Sequence, residues 1–114
     1  MYGLFGRGAV RNLTPEEVAE GLAAARILLI DVREPDETAH ERIRGALPVP
    51  LSRFDPLDLP DAEGREVVFV CASGVCSAKA VEVAQAAGLS CDAHVAGGIA
   101  SWKSAGLPLE AGSP

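Results

Sequence analysis

Apolar residues change their spacing several times along this chain. From Thr14 to Ala25 they recur at helical intervals, with Val18, Leu22 and Ala25 on one face. Thr14 suits an N-cap, Pro15 the first helical position, and Glu17 completes a capping box. Ile27-Leu28-Leu29-Ile30 is then a continuous apolar run, the pattern of a strand buried on both faces. It gives way to Asp31-Val32-Arg33-Glu34-Pro35, after which a short helix is expected over Asp36 to His40. Gly45 to Val49 predicts a second short strand. Ser52 to Glu63, broken by Pro56 and Pro60, predicts a connector with at most a turn of helix.

Val67-Val68-Phe69-Val70 is the strongest strand signal, β-branched, aromatic and uninterrupted. Ser77 to Ala87 predicts a helix stopped by Gly88. A strand follows at Cys91 to Val95, with His94 placed at a strand edge, and a last short helix runs from Gly97-Gly98 through Trp102. Strands alternating with helices predict an α/β domain with a mostly parallel sheet and helices on both faces. Residues 13–110 are expected to form that domain. Residues 1–12 form an N-terminal tail with a candidate first strand, and residues 111–114 a C-terminal tail.

Composition narrows the function classes. A length of 114 residues suits one domain, and 48% apolar residues can build a core. The net charge of −6 argues against binding duplex nucleic acid, which calls for a basic face. It leaves an anionic substrate open, because backbone N–H groups bind anions inside acidic proteins. No apolar run approaches the length of a membrane span or a secretory signal core. Three cysteines, Cys71, Cys76 and Cys91, do not form a disulfide framework, and a reducing cytoplasmic setting is the simplest. His40 and His94 share no zinc-type spacing with them, so neither a metal nor a cofactor is expected.

The chemistry concentrates in Cys71-Ala72-Ser73-Gly74-Val75-Cys76-Ser77. Cys71 stands at the carboxyl end of the best strand, where open parallel sheets bind ligands, and a helix begins soon after. Small residues and Gly74 let the loop curl so that N–H groups converge on one point. That field, with the helix N-terminus, favours the thiolate, which is the nucleophilic form. An ionised nucleophile needs no separate base. The alternative is an inert core cysteine.

Four segments resemble the single-domain rhodanese family. They are Leu29-Ile30-Asp31-Val32-Arg33-Glu34-Pro35, Arg42-Ile43-Arg44-Gly45-Ala46-Leu47-Pro48-Val49-Pro50, the Cys71–Ser77 loop, and Gly97-Gly98-Ile99-Ala100-Ser101-Trp102. The resemblance implies a rhodanese-like fold with a five-stranded parallel sheet. It also implies a sulfurtransferase in which Cys71 takes sulfane sulfur from thiosulfate or a persulfide donor and passes it to cyanide or a thiol, a protein thiol included. By the same resemblance, backbone N–H groups from Ala72 to Ser77 stabilise the persulfide, while Asp31 orders the loop and Arg33 lines its mouth. For Asp31 and Arg33 the alternative is structural ion pairing, Asp31 with a nearby basic group and Arg33 with Glu34 or Glu37.

One position departs from the family's pattern. The sixth loop residue is often Arg and here is Cys76, which removes a fixed charge and implies weaker thiosulfate binding. The same lack weighs against phosphoryl or arsenyl transfer, which leans on a guanidinium. Lys79, Arg42 and Arg44 are the candidates for a compensating basic rim, and Arg53 is expected in solvent. Cys76 also opens a redox switch by disulfide formation with Cys71, against the simpler role of filling a small site. A non-catalytic persulfide-binding or interaction module is the remaining alternative. Cys91 and Trp102 are expected to pack.

Overall fold

The computed structural model describes residues 10–111. Of the tails expected at 1–12 and 111–114, residues 1–9 and 112–114 lie outside the described residues, and the rest begins the first strand and ends the last. Five parallel strands form the sheet: β1 (Arg11–Leu13), β2 (Ile27–Asp31), β4 (Leu47–Pro48), β5 (Glu66–Val70) and β6 (Ala93–Val95), in the order β1-β6-β5-β2-β4. The strongest sequence strand, β5, thus sits at the centre. β3 (Glu41–Arg42) pairs antiparallel with β7 (Glu110–Ala111), a two-stranded ladder the apolar pattern does not predict because each strand has only two residues.

Alternation along the strands sends side chains to two cores. Ile27 and Leu29 of β2, Val68 and Val70 of β5, and Ala93 and Val95 of β6 pack beneath α1 (Pro15–Ala23) and α4 (Gly98–Ser104). Leu28 and Ile30, with Phe69, pack against Ala80, Val81 and Ala84 of α3 (Val75–Ala86) on the other face. Helices therefore cover both faces, which is why β2 reads as an unbroken apolar run.

α1 starts as its residues dictate. Thr14 Oγ1 accepts from the Glu17 N–H at 3.1 Å, and Glu17 Oε1 accepts from the Thr14 N–H at 2.9 Å. It ends two residues before the expected Ala25, because Ala25 turns to φ 58° to lead into β2. α2 (Pro35–His40) falls where expected, with His40 exposed at its end. The connector holds two single 3-10 turns, Leu51–Arg53 and Pro56–Asp58, one more than expected; the Asp55 carboxylate caps the second at 2.9 Å from the Leu57 N–H.

The predicted start of α3 at Ser77 moves back to Val75. Gly74 caps the helix from the left-handed region at φ 100°, so the end of the loop is already the first helical turn. The strand expected from Cys91 begins only at Ala93, leaving Cys91 half-buried against the α3-side core. Trp102 is buried, and its Nε1–H donates to the Pro108 carbonyl at 3.0 Å.

Candidate functional site

Cys71 follows directly on β5 at the carboxyl edge of the sheet, between the ends of β2 and β6. The turn is clamped from beneath: the Ile99 N–H donates to the Cys71 carbonyl at 2.8 Å, and the Ala100 N–H to the Ala72 carbonyl at 3.1 Å. These donors belong to the first turn of α4, whose own N–H groups lack helical partners. The Gly-Gly of the sequence has its physical reason here. Gly98 passes so close to the loop that a Cβ would meet the Cys71 carbonyl oxygen at 2.2 Å.

The sulfur is a convergence point. Cys71 Sγ accepts from the Gly74 N–H at 3.1 Å and the Ser77 N–H at 3.2 Å, and the Ser77 hydroxyl lies 3.5 Å away. Ser77 is the third residue of α3, so its N–H is one of those a helix leaves free. Burial alone would raise the thiol pKa. Hydrogen bonds from the Ser77 hydroxyl and from the Ser77, Gly74 and Ser73 N–H groups outweigh it and bring the thiol below its ordinary value of 9.0. The side chain is only 2% exposed, so its approach is restricted to one opening.

That opening is a cavity of about 320 Å³. It is lined by Cys71, Ser73 and Cys76 of the loop and by Arg33, Glu34 and Glu37 of the segment after β2. Its lining carries two carboxylates and a single guanidinium, which is already engaged. Asp31 holds Arg33 through three donors: the Arg33 N–H at 3.0 Å, Nε at 3.0 Å and Nη2 at 2.8 Å. Arg33 Nη2 also donates to the Glu41 carbonyl at 2.8 Å. Both side chains are buried, at 1% and 6% exposure. The pair ties the end of β2 to Glu41 at the close of α2. Asp31 has the basic partner of its structural alternative, and that partner is Arg33, which is joined to Asp31 and not to Glu34 or Glu37.

The other candidates are placed as follows. Val75 and Cys76 are exposed, with Val75 at 75%, and Ala72 and Ser73 are exposed beside them. Local desolvation and the negative Cys71 nearby raise the Cys76 thiol above 9.0, and burial does the same to Cys91. Lys79 is exposed on α3 and does not line the cavity. Arg42 and Arg44 both pair with Glu110, at 3.2 and 3.4 Å, so they form no rim around Cys71. Arg53 is exposed. Among the described residues no group of three or more His, Cys, Asp or Glu gathers as a metal site. Nor is any described helix long and apolar enough to cross a membrane.

His94 is the residue that sequence patterning misplaces. It is not at a sheet edge: β6 lies between β1 and β5, and His94 is buried. Its Nδ1 is 2.7 Å from Ser77 Oγ, and its Nε2 is 2.7 Å from Asn12 Oδ1. The available signal was a titratable side chain inside the short apolar run from Ala93 to Val95, which a core strand tolerates only with partners. Glu34 and Glu37, which the sequence offers only as partners for Arg33, line the cavity.

Comparison with known proteins agrees over most of the chain. The model of the rhodanese-like domain matches residues 14–105. An uncharacterised protein of Synechocystis, slr1261, is 44% identical over 97 residues, covering 85% of this chain and 54% of its own length. The chain therefore spans about half the length of that relative. A protein of Allochromatium vinosum named sulfurtransferase is 32% identical over 104 residues, covering 90% of this chain and 96% of its own. A crystal structure of a rhodanese-related protein from Thermoplasma volcanium superposes with a TM-score of 0.74 at 30% identity, covering 88% of this chain and 97% of that one.

Proposed function

The chain belongs to the rhodanese-like domain family, and from that premise we propose that it is a sulfurtransferase with Cys71 as the sulfur carrier. The observation that carries this is the pair of N–H groups, from Gly74 and Ser77, aimed at Cys71 Sγ at 3.1 and 3.2 Å. Those donors favour a negative sulfur, first as the thiolate and then as the outer sulfur of a persulfide. The thiolate attacks the outer sulfur of thiosulfate, the sulfur–sulfur bond breaks, and sulfite leaves with the electron pair. Cyanide or a thiolate then attacks the terminal sulfur and Cys71 departs again as thiolate. No metal or organic cofactor takes part.

The cavity wall bears on the donor. Glu34 and Glu37 line the cavity, and Arg33 spends its charge on Asp31. A dianion such as thiosulfate meets repulsion there, so a less charged persulfide is the better donor. A thiol of the reducing cytoplasm, small or borne on a protein, suits the acceptor role. A pure interaction module would have no use for the donors gathered on the Cys71 sulfur; a non-catalytic persulfide-binding module would use them, and turnover is what separates it from the enzyme.

The test is thiocyanate formation from thiosulfate and cyanide, and from a glutathione persulfide donor and cyanide, by the wild type and by Cys71→Ser. Turnover only in the wild type, with one added sulfur atom on Cys71 by mass spectrometry, is the expected result. Equal turnover in both proteins, or none from either donor, overturns the proposal.

A further inference from the structure

His94 lines no part of the cavity, yet among the described residues it is the buried titratable group linked to Cys71 by hydrogen bonds. The link is a line of side chains: Asn12 Oδ1 to His94 Nε2 at 2.7 Å, His94 Nδ1 to Ser77 Oγ at 2.7 Å, and Ser77 Oγ to Cys71 Sγ at 3.5 Å. Sheet register builds it. Asn12 of β1 is the direct partner of His94, and His94 is in turn the partner of Phe69, two residues before Cys71. Phe69 faces α3, so His94 does too, and the first turn of α3 brings Ser77 down onto it.

The far end of the line sets its direction. An amide oxygen only accepts, so His94 Nε2 carries the hydrogen. Burial disfavours the charged ring, which leaves Nδ1 bare to accept the Ser77 hydroxyl hydrogen. The Gly74 carbonyl competes for that hydrogen only at 3.3 Å, against 2.7 Å for His94. Ser77 Oγ therefore turns its lone pairs toward the Cys71 thiol.

We propose that Ser77 and His94 are positioning residues for Cys71: a two-step relay that takes up the thiol proton and turns the Ser77 hydroxyl to face the thiolate. The Cys71 S–H proton passes to Ser77 Oγ as the Ser77 hydroxyl proton passes to His94 Nδ1. The S–H electron pair stays on sulfur, serine ends neutral, and His94 becomes an imidazolium held at both nitrogens. Its Nδ1–H now donates to Ser77, whose own hydrogen points at the sulfur. Burial that disfavours a lone imidazolium is offset by the thiolate at the other end of the line. When Cys71 departs again as thiolate, the His94 proton returns to it through Ser77, which restores the thiol and the neutral imidazole. The relay rests on Cys71 being the nucleophile, but it requires no particular sulfur donor.

Other charges around His94 do not substitute for this link. On the packed elements, Arg11 of β1 pairs with Glu66 of β5 and with Asp92 at 3.9 Å, while Cys76, Lys79 and Glu82 of α3 are exposed. Burial is what lowers the His94 pKa.

The test follows Cys71 alkylation by iodoacetamide, resolved from Cys76 and Cys91 by peptide mass spectrometry, from about pH 5 to about pH 8. His94→Asn keeps a hydrogen-bonding group near the Nδ1 position but accepts no proton. It is expected to move the rate–pH curve up by about one unit, or roughly tenfold slower labelling on the rising limb, with the alkaline plateau unchanged. Ser77→Ala is expected to do the same, and Ser77→Thr to rescue it. A His94→Asn curve overlying the wild type in folded protein overturns the relay, as does equal labelling of the Ala and Thr variants. If His94→Asn does not fold, imidazole nitrogen NMR of the wild type decides. The expected result is an Nε2–H tautomer whose titration shifts when Cys71 is alkylated. An Nδ1–H tautomer, or a titration indifferent to alkylation, overturns the proposal. Because alkylation uses no sulfur donor, an intact relay in a protein that forms no thiocyanate would remove the sulfurtransferase proposal alone.

Discussion

Replacing Gly98 by alanine perturbs the sulfur centre without touching any of its side chains. Gly98 adopts φ 60°, and a Cβ there would lie 2.2 Å from the Cys71 carbonyl oxygen and 2.8 Å from the carbonyl carbon and oxygen of Ala72. These obstacles are backbone atoms, held from below by Ile99 and Ala100 N–H groups, so they cannot swing aside as a flexible side chain would. Two costs add. A left-handed conformation at alanine is worth roughly 1–2 kcal/mol, and forcing packed elements apart roughly 1–3 kcal/mol. Gly98→Ala should therefore lose about 2–5 kcal/mol, a large share of the ~5–15 kcal/mol typical of a small domain. Gly88→Ala supplies the control, because Gly88 sits at φ 89° with nothing within 4 Å. Urea unfolding should place Gly88→Ala about 1–2 kcal/mol below the wild type and Gly98→Ala about 1–3 kcal/mol lower still. Cys71 alkylation at neutral pH should slow only in Gly98→Ala, because displacing the turn carries the sulfur away from the Gly74 and Ser77 N–H groups. Equal destabilisation of the two variants within about 0.5 kcal/mol, with unchanged Cys71 labelling, would refute the close approach of α4 to the loop.

Asp31→Asn removes the charge that neutralises a buried Arg33, and should cost about 3–5 kcal/mol in urea unfolding. A loss below about 1 kcal/mol would mean that water reaches the pair. Stability should also fall with pH below 6.5, the ordinary value from which burial lowers His94. There the unfolded chain binds a proton that native His94 resists, so the unfolded state gains by at most about 1.4 kcal/mol per pH unit. The loss ends once pH has fallen through the depressed native value, and His94→Asn should flatten it. Cys71 has the same sign in a higher window: its native pKa lies below 9.0, so stability rises with pH from the native value up to 9.0. Unfolding free energies that stay level from neutral pH down through this region would rule out a buried neutral His94.

How much was legible in the residues follows from the range of each interaction. The α/β class, the places of β2 and β5, the capping box on Thr14 and the Cys71–Ser77 loop rest on neighbours in sequence: apolar period, Pro and Gly positions, and a cysteine between a strand and a helix. Boundaries slipped where the chain turns, as at Ala25 and at the start of α3, because a left-handed residue there depends on what it packs against. The Asp31–Arg33 pair was half legible, since two residues apart they can meet, but only burial at the sheet end chose that pairing over Glu34 or Glu37.

By itself, then, the order of residues determined a parallel α/β domain and put a cysteine at the head of its best strand. Tertiary structure decided what surrounds that sulfur. Asn12 and His94 are far in the chain from the Cys71–Ser77 loop, and only the order β1-β6-β5 with α3 across it sets all four side chains in one line. Local patterning cannot report such a line, because strand order and register are chosen by the packing of whole faces, and each of these side chains alone looks like an ordinary polar residue.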